Sequence, residues 1–258
     1  MRYSSTGKIT EIAMVIGILL LSLALRWRYM ELNPMLKRDS SLYCNAATLW
    51  SQTGDFESAY EDVGGTAPLY IYLLKIGIDA GIPVISWGRF LAFFFSGAFV
   101  LGFYFLGKQL FDGNRIDALI CMLLAGVHPV IGRVSVGLLR EGPFLALAVF
   151  ALVAFVRALK TGSSSAAFCC GLLLGAAMLT RHEAAELLLW GVLVLLPWRY
   201  RTNADTDPEP QVFLRRLRQP LLMLAGGLAA VVVILIMVGI PPSFLTHQYL
   251  SKLNKVRL

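Results

Sequence analysis

The chain has 258 residues, 57% of them hydrophobic and only 15% charged, with a mean hydropathy of +0.68. That makeup excludes a water-soluble globular domain and places the chain in a lipid bilayer. The net charge of +7 suits attraction to anionic lipid headgroups, and no nucleic-acid-binding module accompanies it.

Seven apolar runs, at 12–27, 84–106, 116–136, 143–156, 166–180, 184–198 and 221–239, lie near the roughly 20 residues that cross a hydrocarbon core. Backbone amides in lipid must be satisfied within the segment, so these runs predict helices. The fold class expected is an all-α, polytopic transmembrane bundle of about seven spans, one domain over residues 1–258. The first run also has the outline of a cleavable signal, since Arg2 and Lys8 precede it and Ser22-Leu23-Ala24 loosely imitates a cleavage site. With six spans following, a retained first helix is the simpler account.

The first loop is the longest polar segment. In it Leu42, Tyr43, Ala46, Ala47, Leu49 and Trp50 recur at helical spacing after Asp39-Ser40, an N-cap signal, and Gly54 can end the helix. This predicts a short amphipathic helix on the membrane surface. Residues 68–74 are apolar but too few to span, and are expected to dip in or lie flat. His128-Pro129 falls inside a span, where a packed histidine or a kink outweighs a ligand. Gly171 and Gly175 form a GxxxG spacing that favours close helix packing over chemistry. Residues 199–218 form a cytoplasmic loop around the linker-like 202–211 segment. There is no internal repeat.

Cys121, Cys169 and Cys170 lie in spans and only Cys44 in a polar stretch, with no CxxC pair, so packing is their expected role. The three histidines lack ligand spacing, so no protein metal site and no cofactor are expected, though the pattern leaves room for a divalent cation.

With the amino terminus cytoplasmic, the cytoplasmic segments and the opposite face carry nearly equal numbers of basic residues, so the positive-inside rule barely chooses. The face that should be poor in Arg keeps Arg133, Arg140 and Arg181 in short connections at helix ends. Three clusters share that face: Arg38-Asp39 with Tyr43, Arg133 with Arg140-Glu141, and Arg181-His182-Glu183. Ionisable groups at membrane level are functional candidates by default. Plainer readings stand beside this one: Asp39 as a helix cap, Arg140-Glu141 as an interfacial ion pair, Arg181-His182-Glu183 as a solvated turn. Taken together, carboxylates and guanidiniums at the rim of a bundle fit a sugar on a polyprenyl phosphate. The tail wants hydrocarbon, the phosphate wants Arg, and a carboxylate near the anomeric carbon can take the proton of an acceptor hydroxyl.

The residues carry a resemblance. "RDSSLY" (Arg38, Asp39, Tyr43), "APLY" (Ala67 to Tyr70), "GKQLF" (Gly107 to Phe111), "RVSVGLLREGPFLAL" (Arg133, Arg140, Glu141) and "LTR" (Leu179 to Arg181) follow one another as in the GT-C class of integral-membrane glycosyltransferases. That class includes protein O-mannosyltransferases and lipid A aminoarabinose transferases. The sequence departs from the pattern at Ser40, which stands where the class has a second acid. The resemblance implies inverting transfer from a polyprenyl-phosphate sugar on the extracytoplasmic face of a bacterial plasma membrane. It makes Asp39 the base and Glu141 a second catalytic acid. Arg133, Arg140 and Arg181 become phosphate ligands, and Arg38, Tyr43, Tyr70, His182 and Glu183 further substrate contacts. Expected partners are that donor, membrane lipids and an acceptor lipid, glycan or protein. The class usually continues with more helices, which leads to the expectation that a second membrane chain supplies them or that this is a reduced relative. The competing functions are a noncatalytic or truncated membrane subunit of the same fold and a transporter or lipid flippase. Lipid-open geometry favours the enzyme, and a path across the bilayer favours transport.

Overall fold

The computed structural model describes residues 5–32, 38–56, 59, 63, 68–201 and 210–240. Among them no strand occurs, and ten helices are delimited. They are α1 (Ser5–Leu32), α2 (Arg38–Thr53), α3 (Pro68–Asp79), α4 (Val84–Leu110), α5 (Arg115–Val127), α6 (Pro129–Ser135), α7 (Glu141–Thr161), α8 (Ser164–Met178), α9 (Ala184–Arg201) and α10 (Pro210–Val238). The protein is a polytopic helical membrane bundle.

Six of the expected spans fall on single helices and the 116–136 run on the bent α5–α6 pair, but length and apolarity support a smaller count. Among the described residues four helices pass on their own, in α1, α4, α7 and α10, and a fifth if α5 and α6 are one bent span. At 15 residues, α8 rises only about 22 Å, short of the roughly 30 Å core. The 202–211 linker and the segment after residue 240 lie largely or wholly outside the described residues.

Two cores hold the bundle. Phe99, Val100 and Tyr104 of α4 pack with Ala118, Leu119 and Met122 of α5 and with Ala146 and Val149 of α7. Ala151, Cys170, Leu174, Leu195 and Met223 join α7, α8, α9 and α10. The most extensive helix contact is α8 against α10, and the glycines explain it. Gly171 and Gly175 face Met223 and Gly227, and Gly226 faces Phe168, all so closely that backbone touches backbone. The GxxxG spacing is thus a packing device, as expected.

The break between α5 and α6 falls at His128-Pro129, with a bend of 63°. Pro129 has no N–H to give, and its ring keeps His128 extended (φ −63°, ψ 117°). His128 then caps α6, its Nδ1 accepting from the Ile131 amide at 3.4 Å. The kink reading of His128 therefore holds. Breaking a helix inside a bundle frees carbonyls, and Arg26 of α1 takes one of them. Its Nη1 donates to the Gly126 carbonyl at 2.7 Å and to Ser22, while Nε donates to the Ser135 hydroxyl at 3.3 Å. Arg26 is fully buried. A cation inside an apolar run is itself a signal legible in the sequence.

Over one end of the bundle, α2 and α3 form a roof. Tyr43, Ala47 and Trp50 of α2 pack on Tyr70, Ile71 and Leu74 of α3, and below them lie Leu91, Leu139, Leu179 and Leu235. The amphipathic helix is present and ends at Gly54, whose positive φ (71°) suits glycine. It begins at Arg38, which sets Asp39 inside the first turn. The 68–74 segment opens a 12-residue helix with Ile71 and Leu74 fully buried. At the opposite end, Glu11 of α1 binds Lys108 at 2.5 Å and Arg115 at 2.9 Å and accepts from the Tyr104 hydroxyl, fastening α1 to α4 and α5.

Candidate active site

The roof, the start of α7 and the α8–α9 turn meet at one point. The amide of Leu69, in the first turn of α3, donates to the carbonyl of Leu179, just past α8, at 3.0 Å. A donor that no helix can satisfy internally meets an acceptor of the same kind, and "APLY" is clamped to "LTR". Arg181 follows at once, its amide still bonded to the Ala177 carbonyl at 2.8 Å.

Arg181 is the hub. Its Nη1 donates to Glu141 Oε1 at 3.1 Å, across 40 residues of sequence. Its Nη2 and Nε hold Glu183 at 2.5 and 3.2 Å, and the guanidinium lies 5.5 Å from the centre of the Phe144 ring. The trio is half-buried, with 27% of the Arg181 side chain and 24% of the Glu141 side chain exposed. Glu141 stands in the first turn of α7, where the helix dipole favours a carboxylate. One of its oxygens, Oε2, is buried with no hydrogen-bond partner among the described residues, and so is Nη1 of the adjoining Arg140. Such orphaned atoms are rare and ask for a ligand or water.

Beside the trio, Tyr43 and Tyr70 meet edge to face, 5.6 Å between ring centres. Both are buried, and burial, with the Glu141 charge among the lesser causes, pushes the Tyr70 hydroxyl well above its usual range. Cys44, buried next to Tyr43, is likewise pushed up to about 11. Asp39 lies one turn before Tyr43 on α2, so the two share a helix face; Asp39 is exposed where Tyr43 is buried.

Not every expected residue joins. Arg38 is exposed at the start of α2 and Arg133 is exposed on α6, and neither pairs with the trio. His182 is more than half exposed, its Nδ1 3.6 Å from Glu183. No group of three potential metal ligands occurs among the described residues.

The electrostatics predict a pH response. Hydrogen bonds from Arg181 hold the Glu183 carboxyl down at about 2 and keep the Arg181 guanidinium above its usual value. An unfolded Glu titrates near about 4.3. The pair therefore contributes its full stability above that pH and loses it as pH falls through 4 towards 2. Thermal unfolding in detergent should show a Tm independent of this group from pH 7 to 5 and a decline below about 4. In Glu183→Gln the acid-side decline should be shallower; an unchanged decline would show that the pair does not couple to folding.

Comparison with known families agrees with this architecture. The model of the dolichyl-phosphate-mannose-protein mannosyltransferase family matches residues 66–239, about two thirds of the chain. The match takes in Tyr70, Arg133, Arg140, Glu141 and the 181–183 turn, but not Arg38, Asp39 or Tyr43. No curated protein matches the chain. A helical membrane bundle that clamps its APLY, REGP and LTR segments together, and whose sequence carries that family's pattern from the roof to the last span, belongs to the dolichyl-phosphate-mannose-protein mannosyltransferase family.

Proposed function

We infer that the protein moves a sugar from a polyprenyl-phosphate donor to an acceptor hydroxyl at the roofed end of the bundle, the extracytoplasmic end. The reading rests on one observation: Glu141, with an uncommitted buried oxygen, is held by Arg181 next to Arg140, with an uncommitted buried N–H. A carboxylate and a guanidinium on successive residues at the start of α7, each with an uncommitted buried atom, suit a ligand with both hydroxyls and phosphate.

The geometry argues for a division of labour among the arginines. Arg181 is flanked by two carboxylates, so little of its charge remains for a phosphate. Its role in this reading is to hold and aim Glu141. Arg140 keeps a free donor and is the better phosphate ligand, since its fork can serve two oxygens at once. Arg133 and Arg38, both exposed, would steer the anionic donor rather than bind it. Glu141 Oε2 would accept from a hydroxyl of sugar or acceptor, with Tyr70 and Tyr43 forming an apolar wall under the sugar and His182 and Glu183 on its outer side. Asp39, on the exposed rim, would take the acceptor's proton as the new glycosidic bond forms and the anomeric carbon parts from the lipid phosphate. The phosphate leaves already charged, so stabilising it matters more than protonating it.

Reconstituted protein given a defined polyprenyl-phosphate sugar tests this. Arg140→Gln should weaken donor binding on the order of tenfold, the scale of one charge-assisted hydrogen bond. Glu141→Gln should lower the transfer rate more than donor binding. Full donor binding in Arg140→Gln together with full transfer in Glu141→Gln would remove the pocket from the mechanism.

A further inference from the structure

A second site lies at the same end of the bundle and shares no residue with the first. Between the last turns of α1 and the first turns of α4 is a cavity of about 630 Å³. Trp27, Phe90 and Phe93 give it an aromatic wall, with the Trp27 and Phe93 rings 5.7 Å apart, while Glu31 from α1 and Ser86 and Arg89 from α4 give it polar edges. Trp27 and Phe90 are more than half exposed. Both helices are long enough to cross a bilayer, and the cavity sits where they end, at headgroup depth.

Its charges are separated by sign. On the α1 side is Glu31, beside a helix C-terminus; on the α4 side are Ser86 and Arg89, in the first two turns from a helix N-terminus. Each helix dipole reinforces the side chain of its own edge, negative on α1 and positive on α4. Glu31 receives Trp27 Nε1 at 2.8 Å and Arg28 at 3.2 Å, yet its side chain is 48% exposed and a carboxylate has room for more donors. Arg89 is exposed and has no hydrogen bond or ion pair with any described residue. A molecule matching this site has a phosphate, a cationic hydrogen-bond donor a few ångströms away, and a chain for the aromatic wall.

We propose that the α1–α4 cavity binds a net-neutral, primary-amine phospholipid of the phosphatidylethanolamine class from the surrounding leaflet. The phosphate lies on Arg89 and Ser86, the ammonium donates to Glu31, and an acyl chain lies along Trp27, Phe90 and Phe93. A headgroup with a quaternary amine cannot donate to Glu31, and one with a net negative charge faces Glu31 without a partner. The occupied site fixes the outer end of α1 against α4, a contact the interior leaves to smaller side chains such as Gly97, which faces Leu19 and Leu23.

Native mass spectrometry of the full chain in detergent, titrated with phosphatidylethanolamine, phosphatidylcholine and phosphatidylglycerol of identical acyl chains, tests the proposal without reference to sugar transfer. Phosphatidylethanolamine should be retained most strongly. Glu31→Gln keeps an acceptor for Trp27 but loses the charge, and should weaken that lipid about tenfold, towards the phosphatidylcholine level. Arg89→Gln should weaken all three. Equal or stronger retention of phosphatidylglycerol, no change in Glu31→Gln, or displacement of phosphatidylethanolamine by a polyprenyl phosphate from this cavity would overturn it.

Discussion

Asn in place of Asp39 should lower sugar transfer by about 10²–10⁴-fold, the usual contribution of a general base, with donor binding close to wild type. Asn has nearly the same shape and still bonds to neighbours, but it cannot take a proton. The expectation follows from where the residue stands. Asp39 is exposed in the first turn of α2, one turn before Tyr43, whose ring is buried against Tyr70 at the edge of the Glu141–Arg181 pocket. An acid there would be open to a water-borne acceptor, one helical turn from Tyr43 on the same helix face. The next residue offers no substitute, because Ser40 is not an acid and is 1% exposed, turned into the protein. Single-turnover transfer from a fluorescent lipid-linked sugar, run beside a donor-binding measurement, separates chemistry from binding. Full activity in Asp39→Asn would remove Asp39 as the base, and loss of activity in Glu141→Gln alone would move the role to Glu141.

Valine at Gly171 should cost stability at or above the roughly 3 kcal/mol upper end of ordinary overpacking. A Cβ there would sit 1.9 Å from the Met223 carbonyl oxygen and 2.8 Å from its carbon, and both are backbone atoms of α10. No rotamer change relieves such a clash; the helices must separate, and with them the Cys170, Leu174 and Met223 core. Gly175, 2.3 Å from the Gly227 oxygen, and Gly226, 2.3 Å from the Phe168 oxygen, should behave alike. Gly17 is the control. Nothing lies within 4 Å of a Cβ at that position, so Gly17→Ala should be neutral or gain up to about 1 kcal/mol of helix propensity. Thermal unfolding in a mild detergent reads both variants. Equal midpoints for Gly171→Val and wild type would mean that α8 and α10 do not pack through these glycines. Because Arg181 follows α8 closely, transfer should fall along with stability in the Gly171 variant, but not in Gly17→Ala.

The α8–α10 contact and the candidate active site illustrate two kinds of legibility. Glycines four apart in an apolar run can be read directly, because small residues at that spacing always lie on one helix face. The partner cannot be read, since Met223 and Gly227 are some fifty residues away and carry no mark of complementarity. The three charged clusters were legible in the same limited way. Counting spans placed them on one face of the membrane, and the resemblance gave all three arginines the same phosphate role. The distances distinguish them: Arg181 lies between two carboxylates, Arg140 keeps a free donor, and Arg133 stands apart on α6.

What the sequence determined by itself is therefore local or periodic: the membrane as solvent, the helical class, the approximate spans, the stop at Gly54, the kink at His128-Pro129 and the close-packing stripe of α8. Each follows from bonds or repeats within a few turns of chain. Only the tertiary structure decided that residues 68–79 form a packed roof helix, that Arg26 satisfies a carbonyl freed by the α5–α6 break, and that Arg181 spans 40 residues to hold Glu141. Those outcomes turn on hydrogen bonds a few ångströms long between distant stretches, and such bonds are set by how helices pack rather than by any spacing along the chain.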